Sequence, residues 1–393
     1  MNTPTSPDPQ PQSAPQPPNT PHAPQPPNTP HAPQPPRPSL NDIADRLHVV
    51  QLPLRTSFRG LTVREVALFE GPAGWGEFAA FPEYAAPETA RWLDCALEMA
   101  FLGPPSPRRP SVEVNGTIPA SVAPQDVEKF LTNYPGVRTV KVKVAEQGSE
   151  LIDDIERIAA VHAANPELRI RCDANGAWSV PDALAAATAL AEAAGGTIAA
   201  GGALDYIEQP CRTVEELAEL RKRLRNTSHP ATATTAADSA STPAVTQKAP
   251  RIAADESIRR ADDPAAVMRL RAADVAVVKA APLGGPRAVL ALAEQFASHN
   301  MTVTISSALE SAVGMFAGLA TAAALPEQHN AAGLGTGSLF LEDVAAPRPI
   351  VDGRIAATPV VPDPARLAAL AAPAARRDWW LDRVRACWPL LNY

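Results

Sequence analysis

Cysteine is scarce in this chain of 393 residues, and its four copies are widely separated: Cys95, Cys172, Cys211 and Cys387. No CxxC pair occurs, and no histidine cluster lies beside any of them. This pattern disfavours a disulfide framework and a zinc site, and it favours reduced thiols. The sequence also lacks a run of about 20 apolar residues and the basic-then-apolar start of a secretion signal. We therefore expect a cytoplasmic protein without membrane insertion.

An excess of basic residues is also missing, because 42 Asp and Glu residues outnumber 35 Lys and Arg residues. The chain therefore has no electrostatic footprint for nucleic acid or for an anionic membrane. The partner that we expect is a small molecule. Composition leaves the oligomeric state undetermined.

Two segments have low sequence complexity. Residues 1–39 are rich in proline and contain the nine-residue repeat APQPPNTPH, at 14–22 and again at 23–31. Residues 226–250 are rich in Ala, Thr and Ser and have no apolar period. Such segments cannot bury enough apolar surface to offset the entropy cost of ordering. We predict a disordered N-terminal tail and a flexible surface insertion, and assign neither of them a catalytic role.

Short β-branched runs alternate with helical stretches between residues 111 and 337. Seven runs are clear strand candidates, and AAGLGTG at 331–337 is a weaker eighth; the seven lie at 111–116, 139–144, 168–174, 204–209, 251–256, 274–280 and 301–307. Regular alternation of this kind predicts a parallel sheet closed into a barrel, or an open doubly wound sheet. No GxGxxG loop follows the first strand, which disfavours the open sheet.

The regions on either side of the predicted barrel have a different pattern. Residues 40–110 contain two strand-like runs followed by a helix over 87–101, which is typical of an α+β unit. We predict that this region forms the N-terminal part of a capping domain and that the barrel spans 111–345. The last segment, 346–393, has no evident partner strand, and we expect it to fold back onto the capping domain.

Charged residues recur where the predicted barrel strands end. Five adjacent strands carry an ionisable group at the same end, in the order Lys, Asp, Glu, Asp, Lys: Lys141 and Lys143, Asp173, Glu208, Asp255, and Lys279. Active sites of βα barrels lie at the carboxyl ends of the strands, so these side chains are expected around one mouth. A single charge at a strand end is more often a solvated residue, and it is the joint occurrence that indicates a site.

Three carboxylates in one apolar barrel would repel each other unless a cation neutralised them. Asp173, Glu208 and Asp255 offer only oxygen ligands, which favours Mg²⁺ over zinc, with Mn²⁺ as a substitute. Lys141 and Lys143 are two residues apart on one strand, so their side chains point to the same face. Two ammonium groups that close lower each other's pKa, which suits a lysine base. The set predicts proton abstraction beside a substrate carboxylate, with Lys279 arriving from the opposite side.

The ordered motifs KVK (141–143), DAN (173–175), EQPC (208–211), ADES (254–257) and VVK (277–279), followed by SSALES (306–311), resemble the enolase superfamily in its muconate-lactonizing branch. The pairing of a lysine base with Mg²⁺ is already known for that superfamily. Within the branch, GWGEFAAFPEY (74–84), NGTIPA (115–120) and GLGTG (333–337) are most similar to o-succinylbenzoate synthases of actinobacterial type. The resemblance covers about residues 45–350, and it implies a modified TIM-type (β/α)7β barrel with an α+β capping domain.

The resemblance also implies roles for individual residues. Lys143 would be the base and Lys279 the opposing ammonium group, while Asp173, Glu208 and Asp255 would ligate Mg²⁺. Support for these groups and the lining of the pocket would come from a further set: Lys141, Asn175, Ser306, Ser307, Gly335, and Arg55 in a closing loop at 55–60. The reaction implied is dehydration of 2-succinyl-6-hydroxy-2,4-cyclohexadiene-1-carboxylate to o-succinylbenzoate, a step toward menaquinone.

Three alternatives remain open. An N-succinyl or other N-acyl amino acid racemase needs both lysines, one on each face of the substrate carbon. A muconate cycloisomerase would use the same groups. From another class, the chain could be a barrel without activity whose proline-rich tail recruits a partner, which would require an incomplete ring of charged residues. Ser306 and Ser307 could equally cap the next helix.

Overall fold

The computed structural model of the chain describes residues 38–58, 60–197, 202–227, 250–260 and 263–391. The predicted tail, apart from its last two residues, and the interior of the predicted insertion lie outside this part of the chain. None of the helices in the described residues combines the length and the apolar character that a membrane span requires.

The strands are β1 His48–Phe58, β2 Leu61–Gly71, β3 Gly74–Phe78, β4 Ser111–Glu113, β5 Gly116–Ile118, β6 Thr139–Lys143, β7 Arg169–Asp173, β8 Leu204–Glu208, β9 Arg251–Ala254, β10 Val275–Val278, β11 Thr302–Ile305 and β12 Arg354–Ala356. The α-helices are α1 Leu40–Ala44, α2 Ala86–Leu97, α3 Val127–Leu131, α4 Leu151–Ala164, α5 Val180–Ala193, α6 Val214–Thr227, α7 Glu256–Arg259, α8 Ala266–Arg269, α9 Pro286–Ser298, α10 Met315–Ala324, α11 Pro364–Ala369 and α12 Ala374–Cys387. A π-helical turn, Glu98–Leu102, continues α2.

Strands β5 to β11 form one parallel sheet of seven strands in chain order. Two isolated parallel bridges close it: Val114 pairs with Ala332, and Ser306 pairs with Gly333. The weak eighth strand candidate is therefore a short closing segment. These features confirm the predicted barrel.

The first predicted strand, 111–116, is interrupted in the structure. Its first half, β4, pairs antiparallel with β12, and the barrel strand β5 begins only at Gly116. The break occurs because the backbone N–H of Val114 donates to Gly353 O, whereas that of Asn115 donates to Ala332 O. The expectation that the C-terminal segment has no partner strand is wrong for the same reason, since β12 belongs to it.

Alternation along the strands decides which side chains face the barrel interior. On β6, Val140 and Val142 belong to the apolar core between the sheet and its helices. The intervening Lys141 and Lys143 point the other way, toward the carboxylates of the neighbouring strands. The same rule places Asp173 at the end of β7, one residue after the core residue Cys172.

The N-terminal region forms an antiparallel sheet of three strands in the order β1-β2-β3. Helix α2 packs beside it, and the C-terminal helix α12 contributes Trp380, which makes an edge-to-face contact with Phe78 at 5.4 Å between ring centroids. A backbone hydrogen bond also connects β1 with the C-terminal segment, because Gln51 N donates to Leu370 O. We refer to β1–β3 as the capping sheet, and the domain boundaries stay a prediction.

Candidate active site

Six charged side chains meet at the carboxyl ends of the barrel strands. We call this group the carboxyl-end cluster, and it comprises Lys141, Lys143, Asp173, Glu208, Asp255 and Lys279. Every residue of the cluster except Lys143 is buried. The predicted convergence of these residues from five strands is present in the structure.

One half of the cluster is built around Asp173. Its Oδ2 accepts hydrogen bonds from Lys143 Nζ at 2.6 Å and from Lys141 Nζ at 2.9 Å. Lys141 Nζ also contacts Glu208 Oε1 at 3.1 Å, so it bridges two carboxylates. Lys143 donates in addition to Asn175 Oδ1 at 2.7 Å. The two lysines therefore share one face, as their spacing predicts.

The other half of the cluster is built around Asp255. Lys279 Nζ donates to Asp255 Oδ2 at 2.6 Å, and Arg259 Nε donates to Asp255 Oδ1 at 2.9 Å. Arg259 also pairs with Glu256 Oε1 at 2.6 Å. It is buried, lines the same cleft, and was not indicated by the sequence analysis. Its position one helical turn after Asp255 is a signal that could have identified it.

Gln209 links the two strand ends that carry Glu208 and Asp255. Its side-chain Oε1 accepts from the backbone N–H groups of Asp255 at 3.1 Å and Ser257 at 3.2 Å. Its Nε2 donates to Ser257 Oγ at 2.7 Å. The amide thus satisfies backbone donors at the start of α7 and fixes where the Asp255 carboxylate lies.

Burial and neighbouring charges shift the carboxyl pKa values in opposite directions. Burial raises the pKa of Glu208, and the charge of Asp173 adds to this effect, so that the value is about 7. Burial also acts to raise the pKa of Asp173, but the ammonium groups of Lys141 and Lys143 hold it well below its usual range. The pKa of Asp255 is likewise lowered, because Arg259 and Lys279 outweigh its burial.

The prediction that the two neighbouring lysines lower each other's pKa is wrong for Lys141. Burial lowers its pKa, but the charges of Asp173 and Glu208 raise it well above the ordinary value. The prediction considered only the repulsion between the two lysines, whereas carboxylate oxygens of Asp173 and Glu208 lie 2.9 Å and 3.1 Å from Lys141 Nζ. Lys141 therefore stays charged and is suited to holding carboxylates in place.

The oxygen donors available for the expected divalent metal are the carboxylates of Asp173, Glu208 and Asp255. Within the described ranges, no three His, Cys, Asp or Glu side chains lie together closely enough to form a metal site. Ammonium groups occupy the space between the carboxylates instead, since Lys141 bridges Asp173 and Glu208. The chemistry of the set still fits a hard cation: Asp173, Glu208 and Asp255 offer buried carboxylate oxygens from successive strands, and the charges of the other two raise the pKa of Glu208.

A cleft above the cluster contains most of the predicted site residues: Lys141, Lys143, Asp173, Asn175, Asp255, Lys279, Ser306 and Ser307. Glu208 lies behind Lys141 and is not part of the cleft wall. The alternative that Ser306 or Ser307 caps the next helix is wrong, because α10 begins only at Met315 and its N-cap is Gly314. Ser307 Oγ instead accepts from Leu309 N at 2.8 Å within a turn.

Two predicted pocket residues do not line this cleft. Gly335 lies beside it, where a Cβ atom would come within 2.7 Å of Asn115 O, so its role is close backbone packing. Arg55 is exposed on β1, and the predicted closing loop is instead a strand that runs to Phe58. Gly60, at the end of that segment, does line an adjoining cleft together with Lys143 and Asn175.

The remaining wall of the cleft was missed by the sequence analysis. It consists of residues from the capping region and from barrel loops: Phe81, Trp92, Thr117, Pro282, Ala308, Leu309, Gly333 and Thr336. Phe81 and Trp92 make an edge-to-face contact at 6.0 Å between centroids. The cleft thus places cationic and carboxylate groups on one side and aromatic and apolar groups on the other, which suits a small carboxylate with an apolar ring.

Family models match most of the chain. Residues 49–100 match the model described as enolase N-terminal domain-like, and residues 126–363 match the one described as enolase C-terminal domain-like. Among solved structures, the muconate lactonizing enzyme from Pseudomonas fluorescens is similar with a TM-score of 0.64 and 21% identity, covering 83% of this chain and 98% of that one. At this identity the likeness concerns the fold alone.

Curated relatives are much more similar in sequence. The chain is 53% identical to the o-succinylbenzoate synthase of Mycobacterium marinum over 353 residues, which covers 90% of this chain and 96% of the relative. It is 52% identical to the o-succinylbenzoate synthase of Mycolicibacterium smegmatis, with 90% of this chain and 98% of the relative covered. The match therefore spans nearly the whole length of both relatives.

Proposed function

The chain belongs to the enolase superfamily, and from that premise we propose that it catalyses the o-succinylbenzoate synthase reaction. It dehydrates 2-succinyl-6-hydroxy-2,4-cyclohexadiene-1-carboxylate to o-succinylbenzoate in menaquinone biosynthesis. The observation that carries the proposal is the carboxyl-end cluster, in which two lysines flank buried carboxylates under one cleft. The curated relatives at 52–53% identity support the choice of substrate.

Lys143 is the base in this proposal. It removes the proton from the ring carbon that bears the carboxylate, and its conjugate acid then gives a proton to the departing hydroxide, so that one water leaves. Lys279 remains protonated across the cleft and stabilises the negative charge that develops on the substrate carboxylate. Formation of an aromatic ring supplies the driving force.

Asp173, Glu208 and Asp255 would hold a divalent metal, which we propose to be Mg²⁺ with Mn²⁺ as a substitute. When bound, the ion supplies positive charge for the substrate carboxylate. Lys141 and Asn175 keep Asp173 and Lys143 in position through the hydrogen bonds described above.

An N-succinyl or other N-acyl amino acid racemase is the second candidate. The observation in its favour is that the two lysines contact different carboxylates. Lys143, at the end of β6, contacts Asp173, and Lys279, directly after β10, contacts Asp255. Dehydration needs one lysine as the base, whereas racemisation needs both. A cytoplasmic location and a small-molecule carboxylate as the substrate remain part of the proposal.

The test is an ultraviolet assay that follows loss of diene absorbance. Purified protein is measured with Mg²⁺, with EDTA, as the Lys143→Ala variant, and as the matched Lys129→Ala variant, which removes an exposed lysine on α3. We expect turnover only with metal and only in proteins that retain Lys143. Turnover by Lys143→Ala would overturn the assignment of the base, and metal binding without any turnover by the wild type would move the assignment to the racemase.

A further inference from the structure

The loop at residues 306–311 forms one wall of the cleft. Ser306, Ser307, Ala308 and Leu309 all line it. Leu309 has a φ of 66°, in the left-handed region that residues with a Cβ atom rarely adopt. A backbone held in such a conformation needs contacts from its surroundings to persist.

Bonds inside the loop fix its local shape. Glu310 Oε2 accepts from Ser307 Oγ at 2.6 Å and from Ala308 N at 2.9 Å. Thr336 Oγ1 donates to Ser307 Oγ at 2.9 Å. These bonds leave open what fixes the Leu309 end of the loop against the rest of the cleft.

A buried arginine of the capping sheet contacts that end. Arg64, on β2, is 1% exposed, and its Nε donates to Leu309 O at 3.1 Å. Its guanidinium group lies 4.2 Å from the ring centroid of Phe81, a second residue of the cleft wall. It also donates through Nη2 to Ala79 O, two residues before Phe81. The Arg64 side chain thus contacts both the 306–311 loop and the segment that carries Phe81, two parts of the cleft wall.

A second buried polar residue of the capping sheet, Glu77, holds the other side of the loop. Glu77, on β3, accepts from the backbone N–H of Ser311 at 3.2 Å and from the Ser311 hydroxyl. The carboxyl group packs so closely on Gly314 that a Cβ atom there would lie 2.3 Å from Glu77 Cδ. Arg64 and Glu77 therefore hold the loop at positions 309 and 311.

An apolar side chain of similar volume would fill the space of Arg64 without the cost of burying a charge. What the guanidinium group adds is directional bonding to two carbonyl oxygens and a flat surface against Phe81. We propose that Arg64 is a positioning residue for substrate binding, which acts by holding Leu309 and Phe81 in the shape that receives the substrate. The inference rests on the proposed function, because it takes the cleft as the substrate site.

The kinetic signature follows from the location of Arg64. The hydrogen bonds of Arg64 go to Leu309 O and Ala79 O, outside the carboxyl-end cluster, so we expect its loss to weaken binding of substrate and transition state alike. In Arg64→Met we expect KM to rise about tenfold or more, the effect of losing a hydrogen bond from a charged donor, while kcat changes much less. Arg64→Lys, which keeps the positive charge and one donor nitrogen but not the planar fork, is expected to recover part of the loss.

The experiment pairs steady-state kinetics on the holoenzyme with amide hydrogen exchange over residues 307–314, measured without substrate. The matched control is Arg109→Met, because Arg109 donates to Ala322 O at 2.6 Å and to Leu325 O at 2.8 Å and lies outside the cleft wall. We expect faster exchange in this loop and a raised KM for Arg64→Met, with intermediate values for Arg64→Lys. The control is expected to leave both quantities unchanged.

Unchanged exchange, or faster exchange with an unchanged KM, would overturn the inference. If Arg64→Met does not fold, the Arg64→Lys protein supplies the same two readouts. The exchange measurement needs no substrate, so it judges the anchoring of the loop even if the wild type fails to convert the diene. That failure would overturn the proposed function, and it would be distinguishable from a failure of the role of Arg64.

Discussion

The barrel carries two groups of charged residues, one toward each end of the same strands. The carboxyl-end cluster pairs lysines with three carboxylates. A second group, which we call the amino-end cluster, comprises Arg171, Asp205 and Arg251. Both contain ion pairs closer than 3.5 Å, yet they differ in the kind of cation that they use.

In the amino-end cluster each charge has several fixed partners. Arg171 donates to Asp205 at 3.2 Å, to Asn115 Oδ1 at 3.1 Å and to Ala331 O at 2.7 Å. Arg251 donates to Asp205 at 2.6 Å. Burial acts to raise the pKa of Asp205, but Arg171 and Arg251 lower it overall. This cluster is a structural joint that connects β7, β8 and β9 with the closing segment.

The carboxyl-end cluster instead contains groups whose charge can change. Glu208 has a pKa of about 7, and the lysines are single-point donors on flexible stems. Burial and ion pairing alone therefore do not identify a catalytic site. Guanidinium forks suit permanent bidentate pairing, whereas a lysine ammonium group that lines the cleft can exchange a carboxylate partner for a substrate.

The largest effect is expected from a substitution in the carboxyl-end cluster, and it is an effect on catalysis. We expect Lys279→Ala to lower kcat for dehydration by about 10²- to 10⁴-fold, the usual contribution of a positioned charged or proton-transferring group. Stability should change little, because Asp255 keeps its ion pair with Arg259 at 2.9 Å. The measurement is the ultraviolet assay together with urea unfolding.

The same variant separates the two candidate functions. With an N-acyl amino acid in deuterated solvent, a racemase carrying Lys279→Ala would lose proton exchange on one enantiomer and keep it on the other. Exchange on neither enantiomer, combined with slow dehydration of the diene, agrees with the dehydratase. An unchanged kcat for dehydration would contradict the role assigned to Lys279.

At the amino-end cluster we expect a large loss of stability with little change in kcat. Arg171→Met removes one of the two cationic partners of Asp205 and also removes the donor to Asn115 Oδ1 and Ala331 O inside the barrel. Asp205 keeps Arg251 at 2.6 Å, but the loss of three hydrogen bonds from a buried charged donor costs about 3–5 kcal/mol of the free energy of unfolding. Urea unfolding measures the loss, and kcat per folded molecule should stay near that of the wild type. A large fall in kcat with unchanged stability would remove the distinction between the clusters.

A smaller effect is expected from Glu77, the buried carboxyl of the capping sheet. Burial raises its pKa to about 8, with added contributions from Glu310 and Asp343, while Ser311 and Arg64 act in the opposite direction. The unfolded chain then loses this proton at lower pH than the folded protein does. The contribution of Glu77 to stability is therefore present below the unfolded pKa and lost as pH rises toward 8, by at most about 1.4 kcal/mol per pH unit.

Glu77→Gln should make the free energy of unfolding less dependent on pH between 5 and 8. The check is urea unfolding at several pH values for wild type and variant. Glu65→Gln is the matched control, because the half-buried Glu65 has a lowered pKa even though burial acts to raise it, since Arg376, Gln51 and Trp380 bond to it. Equal slopes for wild type and Glu77→Gln would show that Glu77 is ionised throughout this range.

Several elements of this molecule were predictable because their signal is local. Strand β6 at Thr139–Lys143 and strand β7 at Arg169–Asp173 agree closely with the β-branched runs in the sequence. The charged residues at their ends follow from alternation along the strand. The first barrel strand was misjudged, since the pairing partners of residues 111–115 lie at residues 332 and 353–356.

The alternation of strands and helices and the residue types at the strand ends can be read directly from the sequence, because both depend on neighbouring positions. Which charges pair depends on the fold. Arg64 reaches Leu309 across 245 positions, Arg171 reaches Asp205 across 34, and Lys141 reaches both Asp173 and Glu208. The physical reason is that a buried charge interacts with whatever lies within a few ångströms of it, and chain folding sets those distances.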